Sequence, residues 1–300
     1  MRKPGSMILL AVLSLMLAAC QTLKPDSPEM RAQSDALLQA QFAETLKLGK
    51  TPKVWVATFI LNSESVAPNG GRMNFEESAR AVQSSFAETG LPVAALRLSN
   101  AVSLGSLGYP FATRESIAQT VYWIGAHRGP QDKVVLAFAS HGAPEMLEVR
   151  IGTDNWNPIT ADWLDNTLVE LHDAPTVVLV DACYSGSFLR PLADDQRVIV
   201  AAAAADKVSF SVNAPEWGLS GSVFVQSLFP RRTEIGDQNL VQMMETARQR
   251  VFTLETDVKA VFNGAYVHSM PQWSVGQDAA FASMPIRDWL KPAPVALQAP

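Results

Sequence analysis

The chain has 300 residues, a formal net charge of −5 and 18% charged residues. With no basic run, that balance excludes nucleic acid as an expected partner. Two cysteines exclude an internal disulfide framework, and with four scattered histidines they offer no metal-ligand spacing, so neither a metal nor another cofactor is expected.

In chain order, Arg2 and Lys3 precede an apolar run from Met7 to Ala19 that ends in Leu17-Ala18-Ala19-Cys20. The run is shorter than the roughly 20 apolar residues a membrane span needs. Its positive start, short apolar centre and small-residue exit read as a signal peptide over residues 1–19. Leu-Ala-Ala-Cys also resembles the bacterial lipobox, in which the cysteine is acylated and becomes the new N-terminus. That resemblance implies lipidation of Cys20 and a lipid bilayer as a partner. With Gln21 rather than Asp following, it implies the outer membrane of a bacterial cell envelope, facing the periplasm or the surface. An ordinary signal peptide that happens to contain a cysteine is the other reading.

Residues 20–49 read as the lipidated cysteine, a Pro-containing tether and a helix from about Met30 to Leu48, closed by Gly49. From residue 50 to 290 strand and helix patterns alternate. Val54–Leu61, Pro92–Leu98, Lys133–Ala139, Thr176–Val180 and Arg197–Ala202 are β-branched or apolar runs that read as strands, with shorter candidates at Leu147–Ile151 and Gln272–Val275. Between them, Asn74–Thr89 repeats apolar residues at helical spacing (Phe75, Ala79, Val82, Phe86). Thr113 and Thr160 read as N-caps of two further helices, and Ser220–Phe229 and Leu240–Leu254 as two more. Such alternation predicts a three-layer α/β/α sandwich around a mostly parallel sheet of about six strands, in one domain. Residues 291–300, rich in Pro and Ala, read as a disordered tail.

In such sheets the working residues lie beyond the C-terminal ends of the strands. His141 and Cys183 both fall there, in Ser140-His141-Gly142-Ala143 and in Asp181-Ala182-Cys183-Tyr184-Ser185-Gly186. With Cys20 consumed by export chemistry, Cys183 is left as an unpaired thiol in an oxidising compartment. A nearby imidazole would raise its thiolate fraction or protonate a leaving amine. The glycines beside both residues leave room for close backbone approach to a carbonyl. A buried, inert cysteine and a structural histidine are the alternative. Ser185 with His268 as partner would make a serine hydrolase, but Cys183 stands where the first glycine of Gly-x-Ser-x-Gly belongs.

The two segments, in this order and spacing, resemble the legumain-like cysteine peptidases of the caspase–haemoglobinase fold, particularly bacterial members. The resemblance continues through Ala112-Thr113-Arg114, Trp156-Asn157-Pro158-Ile159-Thr160, Val200–Phe210 and Pro271–Gly276, and covers about residues 50 to 280. It implies a peptide or protein substrate, Cys183 as nucleophile and His141 as general acid/base, with the backbone N–H groups of Gly142 and Cys183 as oxyanion hole. Asn74-Phe75-Glu76-Glu77-Ser78-Ala79 is similar to the family's Asn-Tyr-Arg-His-Gln-Ala, which implies that Asn74 orients His141; an ordinary helix N-cap is its other reading. Glu76-Glu77 replaces the family's Arg-His pair, and Asp181 stands in place of an acidic pocket residue. Were Glu76, Glu77 and Asp181 to line one pocket, they would favour a basic residue before the scissile bond over asparagine. As first-turn helix charges, the glutamates need no substrate. Transamidation through the same thioester, and a surface lipoprotein that kept only the fold, are the remaining alternatives.

Overall fold

The computed structural model describes residues 27–51, 53–62, 75–87, 91–100, 102–103, 106–151, 154–214, 219–229, 237–261 and 268–291. Helix α1 (Pro28–Leu46) starts at Ser27, whose hydroxyl accepts from Met30 N–H at 3.2 Å. Then follow β1 (Val54–Ile60), α2 (Phe75–Ala87), β2 (Val93–Ser99), a short pair β3 (Val102–Ser103) and β4 (Ser106–Leu107), and α3 (Arg114–His127). Strand β5 (Lys133–Ala139) leads into a three-stranded meander of β6 (Gly142–Ala143), β7 (Met146–Ile151) and β8 (Asp154–Thr160). Next come α4 (Ala161–Leu168), β9 (Thr176–Asp181), β10 (Arg197–Ala201) and a hairpin of β11 (Ser211–Ala214) and β12 (Leu219–Ser222). Helices α5 (Val223–Leu228) and α6 (Leu240–Val261), strand β13 (Gln272–Val275) and helix α7 (Ile286–Leu290) complete the order.

The central sheet runs β13-β10-β9-β5-β1-β2, parallel throughout except for β13, which pairs antiparallel with β10. All residues of β1, β9 and β10 are buried, as strands covered on both faces require. Side-chain alternation divides them between two cores. Trp55, Phe59, Leu136 and Val178 pack with Phe42 of α1, Ile117 of α3 and Leu164 of α4. Val54, Val56, Val135 and Leu179 pack on the opposite face with Phe86 of α2, Phe224 of α5 and Met244 of α6. The connection from β1 through α2 to β2 moves outward, whereas the one through α3 returns past β1 to β5. The chain therefore reverses direction between β1 and β5, and the C-terminal ends of β5 and β9 open beside that crevice.

Thr113 forms a reciprocal cap with Ser116 at the start of α3, and Thr160 caps α4 through Trp163 N–H at 3.3 Å, both as the sequence predicts. Other elements differ, and besides the short strands β3, β4, β6 and β11 two stand out. Ser220–Phe229 is not one helix: β12 ends at Ser222, and only then does α5 begin, with the Ser222 hydroxyl accepting from Val225 N–H at 3.2 Å. Gly221 sits at φ 102°, which no helix accommodates. Strand β8 is not predicted either, because Asp154-Asn155-Trp156-Asn157-Pro158 lacks β-branched alternation; its pairing with β7 creates it. The expected lipoprotein leader, with Cys20, lies outside the described residues, as does the tail over 292–300.

The starts of β1 and β5 are held by Asp132, which is buried. Its carboxylate accepts from Lys53 N–H (3.1 Å), Trp55 Nε1–H (2.8 Å) and Gly129 N–H (3.0 Å), and lies 3.5 Å from the buried Lys53 ammonium. Removing one partner of such a pair strands the other charge in the interior. Asp132→Ala is therefore expected to cost about 3 kcal/mol of stability in denaturant titration, and Asp132→Asn less. A loss under about 0.5 kcal/mol would show that the network holds nothing.

Candidate active site

His141 follows the last residue of β5 by two positions, and Cys183 follows the last residue of β9 by two. The strands are adjacent and parallel, with Ala139 opposite Asp181. Ser140 N–H extends the pairing by donating to Asp181 O at 3.2 Å. Neighbouring strands lie about 4.8 Å apart, so the two residues leave the sheet side by side at one level. The chain on either side of His141 is then tied to β7. Ser140 Oγ donates to Glu148 O at 2.6 Å, and Glu148 N–H donates to His141 O at 3.0 Å. Phe75, the first residue of α2, is packed with Ile60 and Ala139 and meets the His141 ring at 5.8 Å and 83°, an edge-to-face contact that restricts the imidazole.

Cys183 is a free, half-buried thiol. Its Sγ donates weakly to Ser209 O at 3.7 Å. Tyr184 sits at φ 57°, a left-handed conformation unusual for a bulky residue, so the chain turns sharply after the thiol. Three bonds impose that turn: Tyr184 N–H donates to Lys207 O (2.7 Å), and the Ser187 hydroxyl and N–H both donate to Tyr184 O (2.7 and 3.0 Å). Ser187 Oγ also accepts from Glu145 N–H at 2.7 Å, at the tip of the β6–β7 hairpin. One hydroxyl thus clasps the loop after Cys183 to the loop after His141.

Two glycines make that contact possible. A Cβ on Gly142 would lie 2.3 Å from Cys183 O and 3.1 Å from Ala182 Cβ, so only glycine lets the two backbones abut. A Cβ on Gly186 would lie 2.6 Å from Ala205 N and 2.6 Å from Gln272 Oε1. The structure therefore brings together His141, Gly142 and Cys183 from two distant stretches of sequence. It also adds Phe75, Ser187 and the strip 203–209, which runs against the Cys183 loop. Nothing local marks Ser187 in the sequence; its role arises only once the two loops meet.

The remaining expected site residues fare differently. Asn74 lies outside the described residues. Glu76 points to the outer strand β2, where it forms an ion pair with Arg97 and accepts from Ser99 Oγ at 2.6 Å. Glu77 pairs with Arg80 on its own helix. Asp181 is on β9, separated from β2 by β5 and β1. The expected acidic pocket is thus not formed: neutralisation by Arg97 and Arg80 turns the glutamates elsewhere, and with it the reason to expect a basic preference disappears. Nor does Asp181 line a cleft. It is 3% exposed, beside an interior void of about 10 Å³, too small for a substrate side chain. Ser185 is corrected as well. It is fully buried, and its hydroxyl accepts from Ala203 N–H at 3.0 Å, so it is not an accessible nucleophile. His268 is engaged with Glu255 at 3.4 Å. Among the described residues no cluster of three His, Cys, Asp or Glu side chains has the arrangement to hold a metal.

Asp181 has a distinct electrostatic character. Burial raises its pKa from 3.8 to about 6, partly offset by the hydroxyls of Ser222 and Ser78. Ser222 Oγ donates to Oδ1 at 2.7 Å, while Oδ2 has no hydrogen-bond partner. The unfolded-state pKa is the lower of the two, so folding favours the protonated acid. Asp181 then costs nothing below pH of about 4, and its cost grows to on the order of 3 kcal/mol above pH of about 6. Asp181→Asn is expected to raise the unfolding midpoint at pH 7.5, with the gain vanishing by pH 4. Parallel stability curves for the two proteins across that range would contradict the assignment.

Comparison with known proteins bears on the fold and the family. No curated protein matches the chain. Among solved structures, the crystal structure of caspase-1 from Spodoptera frugiperda matches with a TM-score of 0.50 over 75% of this chain and 86% of that one, at 13% identity. At that identity the likeness establishes a shared α/β caspase-like fold. The model of the peptidase C13 family matches residues 124–286, a span that includes β5, His141, Cys183 and β13. The chain belongs to the peptidase C13 family and is a cysteine-type peptidase of the legumain group.

Proposed function

We propose that the protein is an endopeptidase acting through a Cys183 thioester, with His141 as general acid/base, held at the cell envelope by an acylated Cys20. The observation that carries the catalytic part is the β5–β9 register, which delivers His141 and Cys183 side by side and presses Gly142 against the Cys183 backbone. In this reading Cys183 Sγ, its proton passed to His141, attacks the scissile carbonyl carbon. The N–H groups of Gly142 and Cys183 stabilise the oxyanion. His141 returns the proton to the nitrogen as the C–N bond breaks, and the amine leaves. Water, deprotonated by His141, then attacks the thioester, releasing the carboxylic acid and the thiol.

Cys183→Ala is expected to abolish peptide hydrolysis while moving the unfolding midpoint little, since a small side chain replaces a small one. His141→Ala should lower the rate by about 10²–10⁴. Substantial turnover by Cys183→Ala on a peptide library would exclude the thioester route.

The anchoring part rests on the Leu-Ala-Ala-Cys sequence that ends the N-terminal apolar run. One acyl chain binds membranes only marginally, so retention needs the several chains of a bacterial lipoprotein. Mass spectrometry of the mature N-terminus is expected to find an acylated Cys20, and Cys20→Ser to lose both the modification and processing there. An unmodified start at another residue would refute it.

A further inference from the structure

A cavity of about 540 Å³ opens between α6 and residues 268–271, within the usual range for ligand sites. Residues 268–271 are tied to the strip that runs against the Cys183 loop, for Ala204 N–H donates to Ser269 O at 2.8 Å. Its lining includes Glu255, which is 3% exposed. One carboxylate oxygen of Glu255 accepts from Ser269 N–H at 2.9 Å and faces His268 Nδ1 at 3.4 Å; the other, Oε1, has no partner. His268 Nδ1 also lacks a hydrogen bond. Burial pushes the Glu255 carboxyl up, and Ser269 and His268 offset this only in part. A buried acid so poorly satisfied, in the wall of a cavity, lacks a donor.

The rest of the lining indicates which donor. Phe252 stacks on the His268 ring at 4.2 Å and 21°, a flat aromatic wall, and is 56% exposed. Met270, at φ 54°, is 55% exposed beside Pro271. Glu245 and Arg248 pair with each other at 2.8 Å, whereas Glu255 is faced only by the His268 ring, at 3.4 Å. A planar cation with an apolar stem fits these features: the guanidinium stacks on the rings and donates to the carboxylate, and the stem lies along Met270. Arg248 already stacks in this way over Trp273, at 5.3 Å.

We propose that this cavity binds an arginine side chain presented by a peptide, with Glu255 as its counter-ion and the Phe252–His268 stack as its platform. Glu255 Oε1 carries no exposed surface of its own. Access to it requires the partly exposed rings to shift, and Met270, in the same lining, supplies a methyl reporter.

The test is a methyl NMR titration of the full-length Cys183→Ala chain, which leaves the probes uncleaved. The probes are Nα-acetylarginine methylamide and its lysine and citrulline counterparts. The arginine probe is expected to shift Met270 saturably, the lysine probe several-fold more weakly, and the uncharged citrulline not at all. Glu255→Gln should weaken the arginine probe about tenfold. Phe252→Ala, at an exposed position that leaves the core intact, should weaken it about threefold. Citrulline binding as well as arginine, an unmoved Met270 methyl, or full affinity in both variants would each overturn the assignment.

Discussion

Parallel hydrogen bonding between β5 and β9 continues one step past the last paired residues, where Ser140 N–H donates to Asp181 O at 3.2 Å. That bond fixes the level at which two loops leave the sheet, and the rest of the site depends on it. A slip of one residue would displace His141 by about 3.3 Å along the strand and turn its side chain to the opposite face. Register is protected because both faces of the pair are buried. Leu136 and Val178 belong to one core, Val135 and Leu179 to the other, so a slip would exchange every contact at once. The site inherits its geometry from two hydrophobic cores in which neither His141 nor Cys183 takes part.

Beyond the sheet, hydrogen bonds replace packing as the source of precision. The loops are irregular, and their conformations include left-handed residues at Tyr184 and Glu145. Such positions persist only where the surroundings over-determine them. Ser187 supplies that for both: its hydroxyl donates to Tyr184 O and accepts from Glu145 N–H, satisfying one group on each strained loop. Gly142 then lets the loops close to backbone contact. The loops that carry His141 and Cys183 are thus held by a serine, a glycine and main-chain amides.

Much of this was legible in the sequence, for identifiable reasons. The central strands are long β-branched runs buried on both faces, and the caps at Thr113 and Thr160 are local chemistry, so both survive in any context. His141 and Cys183 could be placed at strand ends because strand ends are where a run meets a glycine-containing turn. What could not be read depends on partners far away in the chain. Strand β8 exists only through β7, the helix at 220 gives way because Gly221 leaves helical space, and Glu76 is decided by Arg97 on β2. The expected acidic pocket does not form for that reason. A carboxylate at a helix start has several arginines within reach, and only the fold determines which one it meets.

The two buried acids near the site show why geometry, not residue type, separates a structural carboxylate from one that faces a ligand. Asp181 and Glu255 each leave one oxygen without a partner, and burial raises the pKa of both. Asp181 is enclosed beside about 10 Å³ of void, and its bonded oxygen accepts from the serine that caps α5. Its unsatisfied oxygen can only be neutralised by a proton. Glu255 stands at the wall of about 540 Å³, beside an exposed phenylalanine and an exposed methionine. There a basic side chain can approach from outside along Phe252 and Met270, both more than half exposed. One acid is therefore a reservoir of pH sensitivity at the end of β9, and the other is the counter-ion assigned to a basic side chain.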